Sequence, residues 1–127
     1  MNNTPKGQIT IQALAMPADT NANGDIFGGW LVSQMDLAAG VLAKKIAQGR
    51  VVTVSINSMT FLKPVHVGDV VSCYVHLVKS GRTSMTFDVE VWSDSLYGGA
   101  PYRVTEGTFV FVAIDEDGKP RTLPEGS

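Results

Sequence analysis

From Gly29 to about Gln48 the chain carries no proline, and Leu31, Met35, Leu42 and Ile46 recur at helical spacing on one stripe. This is the only long helix candidate, and everything after it reads as strand. Four β-rich runs follow: Val51 to Phe61, Asp69 to Lys79, Thr83 to Trp92 and Tyr102 to Ile114. They are separated by Lys63-Pro64, Ser80-Gly81, Gly98-Gly99-Ala100-Pro101 and Asp115-Glu116-Asp117-Gly118, all turn formers. A weaker alternation from Gln8 to Leu14 adds a strand before the helix. One helix among five strands buries its bulky stripe best if an antiparallel sheet wraps it, here as a meander. The expected class is therefore α+β. Gly49 fits the helix stop.

Composition narrows the function. With 127 residues, 44% of them hydrophobic and 17% charged, the chain has the size of one domain with its own core, taken as residues 1–127. A net charge of −2 offers no basic surplus for nucleic acid. No apolar run approaches the roughly 20 residues that span a bilayer, so no membrane insertion is expected. The segment Met1 to Gly7 lacks the apolar run of a signal peptide, and the lone Cys73 has no partner for an internal disulfide. A cytoplasmic location is the expectation, which leaves the Asn2-Asn3-Thr4 sequon without meaning. His66 in a turn-like segment and His76 in a strand give no zinc spacing, so no metal is expected. The chain also lacks the nucleophile elbow, the Walker loop and the dinucleotide fingerprint, and Asp115-x-Asp117-Gly118 lacks a calcium loop's later glutamate.

The loop from Asp19 to Asp25 is rich in Asn, Asp and Gly and leads through Ile26-Phe27 into Gly28-Gly29. At 100° per residue, Gly29, Val32, Ser33, Asp36, Ala39, Gly40, Ala43 and Ala47 form a second, small-residue stripe that lets something approach closely. Asp36 is out of place: aspartate is a poor mid-helix residue, and this one lies too deep to cap. Two readings stand. In one it is partly exposed or paired with Lys44 or Lys63; in the other it is a base or nucleophile. Gly28 and Gly29 sit where helix amides lack partners and the dipole favours negative charge, so they suit an oxyanion better than a tight turn of positive φ. Seven residues separate Gly29 from Asp36, about 10 Å along a helix at 1.5 Å per residue, too far to share one carbonyl carbon. That distance implies a site built by two chains, the glycines of one facing Asp36 of the other.

Nearly the whole chain resembles the YciA-type acyl-CoA thioesterases of the hotdog fold. The likeness rests on Met16-Pro17, the run Asp19 to Trp30, Ser33-Gln34-Met35-Asp36, Arg50 to Val54, Phe61-Leu62-Lys63-Pro64 and Val67-Gly68-Asp69. It implies hydrolysis of an acyl-CoA thioester, with Asp36 as the catalytic carboxylate and amides near Gly28 and Gly29 polarising the carbonyl. It also implies dimers that assemble into a homohexamer, a trimer of dimers. Related tandem-domain enzymes hold a second catalytic residue, Asn, at the position matching Asp25, so Asp25 is carried as a secondary catalytic position. The resemblance places the nucleotide near the turn Lys79 to Ser84, where Lys79 and Arg82 can pair with phosphates while Gly81, Thr83 and Ser84 complete the contact. Arg50, Lys63, Lys119 and Arg121 are further phosphate candidates. The pantetheine arm needs a narrow, mostly apolar trench, for which the small-residue stripe and the Val51 to Phe61 strand are candidates, with Asn57 as a polar contact. Asn23, Phe27, Trp30 and Thr53 complete the substrate-contact candidates, Phe27 and Trp30 as gates to the acyl pocket. Coenzyme A is part of the substrate, and no cofactor is called for. The rival from another class is a non-catalytic acyl-CoA sensor. A dehydratase would need a histidine near the helix start, and there is none.

Overall fold

The computed structural model describes residues 4–95 and 98–125, so Asn2 and Asn3 of the sequon lie outside it. Strand β1 (Gln8–Leu14) is followed by a short 3-10 turn, Pro17–Asp19, and by helix α1 (Gly28–Ala47). Strands β2 (Val51–Phe61), β3 (Val70–Ser80), β4 (Ser84–Asp94) and β5 (Tyr102–Ala113) complete the chain. All pairings are antiparallel, and the helix lies against the sheet with its buried face on all five strands, the hotdog arrangement.

The strand order is β1-β3-β4-β5-β2, which corrects the expected meander. Only β3, β4 and β5 run as neighbours in sequence; β2 pairs with β5 and lies at the edge opposite β1. The physical reason is the helix between them. It fills the curved face, so the strand before it and the strand after it are held apart at opposite edges. The segment 62–69 that joins β2 to β3 is correspondingly too long for a tight hairpin.

The helix sits deep because its buried face is small. Leu31, Met35, Ala38, Ala39, Ala43 and Ala47 are all buried, the last five fully. A Cβ on Gly40 would already meet the Phe111 ring at 3.6 Å. Three members of the small-residue stripe are therefore spent on the sheet and cannot line a trench, while Leu42 and Ile46 are only half-buried. What approaches the small residues closely is the sheet itself.

The helix ends differently from expectation. Gln48, not Gly49, takes the left-handed conformation at φ 54. Arg121 then supplies the cap: its Nη2 donates to the carbonyl of Ala47 at 2.8 Å and its Nε to that of Ile114 at 3.1 Å. Gly49 is small because Arg121 lies over it, 2.7 Å from where a Cβ would stand. Replacing Arg121 by Ala is expected to lower unfolding stability by about 1 to 3 kcal/mol, since two buried-end carbonyls lose a charged donor; a denaturant titration measures it.

Cys73 is fully buried in β3, and burial pushes its thiol up to about 12. The folded chain should be inert to a disulfide-forming thiol reagent at pH 8 and react once per chain in denaturant. Its linkage to stability has a definite sign. The unfolded thiol titrates near 9 and the folded one near 12, so stability is full below pH 9 and declines as the pH rises from there. Cys73→Ala should flatten that alkaline decline in a pH series of thermal melts.

Candidate active site

Asp36 sits in the third turn of α1, half-buried, and pairs with neither Lys44 nor Lys63. Its Oδ1 accepts a 2.6 Å hydrogen bond from Thr53 Oγ1 on β2. Among the described residues Oδ2 has no partner, so one oxygen of the carboxylate is anchored and the other is free. Thr53 was read as a substrate contact; the geometry gives it the further task of orienting Asp36. No signal in the sequence joins two residues on different elements in this way.

At the helix start, Phe27 occupies the cap position without a side-chain hydrogen bond, and Gly28 and Gly29 are the first two helical residues. Their amides have no acceptor among the described residues, as expected for the first turn. Neither glycine has positive φ, so neither is there for a tight turn; in this loop only Gly24 has it, at φ 83. The two glycines differ in their surroundings. A Cβ on Gly28 would lie 3.2 Å from the Phe61 ring, whereas a Cβ on Gly29 would meet nothing. Close approach to the backbone is thus already used by Phe61 at Gly28 and open at Gly29.

The loop that delivers these amides is organised by Asn21. Its Oδ1 accepts from the amides of Asn23 at 2.9 Å and Asp25 at 3.1 Å, an Asx turn whose tip carries Asn23 exposed to solvent. The far side of the loop is held by segment 62–69: Ile26 N–H donates to the Val65 carbonyl at 3.0 Å, and Asp25 pairs with His66 in an isolated antiparallel bridge. His66 Nδ1 stands 3.5 Å from Asp25 Oδ1. Asp69, buried, closes segment 62–69 by accepting at Oδ2 from the His66 amide and Ser93 Oγ, both at 3.1 Å. Asp25, Gly28, Leu31, Phe61 and Lys63 line a cavity of about 360 Å³. Phe27 is half-exposed, and Trp30 packs against the core. A larger cleft of about 870 Å³, lined by Tyr74, Trp92, Tyr102 and Arg103, touches none of Gly28, Asp36 or Thr53.

The turn Lys79 to Ser84 lies in register with Thr53. Thr53 pairs with Phe111, Phe111 with Met85, and Met85 with Ser80, so the turn is three strand spacings away, about 15 Å. Its backbone is pinned by Gly81 N–H to the Ser84 carbonyl, and the carbonyls of Arg82 and Thr83 accept from Leu123 and Ala113. Lys79 and Arg82 are exposed, and neither has an ion-pair partner among the described residues. The other phosphate candidates fare differently. Arg121 is committed to the helix end, Arg50 donates to the carbonyls of Asp115 and Glu116, and Lys63 lies over the Tyr102 ring at 5.3 Å. Lys119 is exposed. Asn57 donates its side-chain amide to Ser55 Oγ beside the irregularity of β2. No helix among the described residues is long and apolar enough to cross a membrane.

The family model of the thioesterase superfamily matches residues 23–100, the span that holds Asn23 and Asp25 of the loop, the helix with Asp36, Thr53 on β2 and the turn Lys79 to Ser84. An acyl-CoA thioester hydrolase YciA of Salmonella typhimurium is 58% identical over 127 residues, covering 98% of this chain and 96% of that protein. The hexameric thioesterase y2039 of Yersinia pestis superposes with a TM-score of 0.93 at 58% identity, covering 97% of this chain and all of that one. An acyl-CoA hydrolase of Staphylococcus aureus, solved with butyryl coenzyme A, coenzyme A and coenzyme A disulfide, superposes with a TM-score of 0.82 at 32% identity, covering 90% of this chain and 70% of that one. Aspartate-to-alanine and threonine-to-alanine variants of that hydrolase have also been solved, at positions 17 apart in its chain. On the match of sequence, fold and loop together, the chain belongs to the YciA-type acyl-CoA thioester hydrolases of the thioesterase superfamily.

Proposed function

We propose that the protein hydrolyses acyl-CoA thioesters to a free carboxylic acid and coenzyme A, with Asp36 as general base and the amides of Gly28 and Gly29 as the oxyanion hole. The observation that carries this reading is the carboxylate held at one oxygen by Thr53 and left free at the other. A half-exposed Oδ2 is open to water. It takes the proton as the water oxygen attacks the carbonyl carbon; the carbon–sulfur bond then breaks, and the thiolate leaves with a proton as coenzyme A. The helix amides receive the negative charge that develops on the carbonyl oxygen, aided by the helix dipole. A spacing of 17 residues separates Asp36 from Thr53, the same as between the aspartate and threonine altered in the Staphylococcus aureus hydrolase, and this coincidence supports the assignment.

Asp36 and Gly29 lie about 10 Å apart along one helix, so the reading requires two protomers, each giving the glycine amides to the partner's acid. Hexameric relatives support a homodimer as the working unit within a trimer of dimers. Residues 1–127 then act as one hotdog domain, in the cytoplasm where acyl-CoA is found. Lys79 and Arg82 pair with phosphates at the turn, and the roughly 15 Å back to Thr53 is bridged by the pantetheine arm along β2. Asn57, Thr83 and Ser84 contribute polar contacts, and Phe27 and Trp30 border the acyl end.

Asp36→Asn is expected to lower kcat by at least about a hundredfold with the fold intact, and Thr53→Val by about tenfold with little change in KM. Thiol release from an acyl-CoA panel measures both. Turnover retained by Asp36→Asn would overturn the base assignment, no thiol release by the unaltered protein would leave the sensor as the better account, and heavy oxygen found in Asp36 after one turnover in labelled water would make it the nucleophile. Replacing Lys79 and Arg82 together by Ala should raise KM for acyl-CoA about tenfold or more yet leave an acyl-pantetheine, which lacks the phosphates, unaffected.

A further inference from the structure

His66 reads in the sequence as an ordinary turn histidine, but the fold carries it to the loop that delivers the oxyanion amides. Asp25 pairs with it twice, through the backbone bridge and through the 3.5 Å contact between Asp25 Oδ1 and His66 Nδ1. Among the described residues the Asp25 carboxylate has no other partner. That carboxylate lines the same cavity as Gly28 and lies three residues before it. An ionised carboxylate there opposes the negative charge that must grow on the thioester oxygen, because both border one recess.

We infer that His66 is a positioning residue of the thioesterase site: as imidazolium it neutralises Asp25 and fixes the loop that aims the Gly28 and Gly29 amides at the developing oxyanion. The inference rests on the oxyanion reading above. The charged and titratable groups around His66 are few. The loop before α1 contributes Asp19 and Asp25, segment 62–69 contributes Lys63 and Asp69, and β5 contributes Tyr102, whose hydroxyl donates to the Pro64 carbonyl. Asp69 is occupied with the His66 amide and Ser93, and Lys63 with the Tyr102 ring, which leaves Asp25 as the group of the same chain that answers to the charge on the imidazole. The effect belongs to the charged imidazole, so it is strongest at acid pH and fades as rising pH removes that charge.

The test is the ratio of kcat/KM between the unaltered enzyme and His66→Gln, followed from pH 5.5 to 8.5. With both side chains partly exposed, the ratio should be about twofold to fivefold at the acid end and fall towards one at the alkaline end. His66→Lys, a cation throughout, should keep the acid-end activity and carry the advantage to high pH. In an Asp25→Asn background the ratio should be one at every pH. A ratio independent of pH, or one that persists without the Asp25 carboxylate, overturns the inference. An NMR titration of the imidazole separates this from the base assignment: its midpoint should fall when Asp25→Asn is introduced, in active and in Asp36→Asn protein alike. A midpoint that does not move overturns the pairing even if Asp36 proves to be the base, whereas turnover surviving Asp36→Asn bears on the base and not on His66.

Discussion

Everything in this molecule depends on how closely one helix approaches one sheet. Four fully buried alanines set that distance, and with it the reach of Asp36 to Thr53 on β2. A larger residue at Ala39 or Ala43 would meet a close-packed interior with no room to give and push the helix away from the sheet. The 2.6 Å contact between carboxylate and hydroxyl would be among the first to open. Packing and chemistry are therefore one constraint: the core does not merely support the site but sets its key distance.

The start of the helix is governed by a different interaction. There the amides of Gly28 and Gly29 are left unpaired, as the proposed oxyanion role needs, and the loop before them is held largely by polar contacts. Asn21 organises it from within, and segment 62–69 holds it from outside through Val65 and His66, itself closed by buried Asp69. Val67-Gly68-Asp69, remote from the proposed site, thus fastens the loop through buried Asp69. Two helix ends, one pinned by Arg121 and one left open, give the rod a structural terminus and a functional one.

Much of the architecture could be read from local pattern. Strand β1 and strand β2 fall where alternation and turn residues place them, and the helix begins one residue early because Gly28 rather than Gly29 takes the first helical position. The misreadings share a cause. Gly49 looks like a helix stop, yet Gln48 makes the left-handed turn because Arg121, distant in sequence, covers the glycine. The small-residue stripe looks like room for a ligand, yet much of it is room for the sheet. Arg50 and Arg121 look like phosphate anchors, yet both are bound to backbone carbonyls. In each case the deciding partner lies on another element, and periodicity reports only which residues share a face.

What the chain alone determined is its set of parts: one amphipathic helix with an unexpected carboxylate, five strands, a polar glycine loop and a basic turn, each dictated by backbone preference and hydrophobic spacing over a few residues. What only the tertiary structure decided is which parts meet: β2 beside β5, Thr53 under Asp36, His66 against Asp25. The physical reason is range. Local preferences act over a turn of helix or a strand pair, whereas the partner of a buried or site-lining group is chosen by how the whole sheet closes around the helix, a choice made by packing over the entire chain at once.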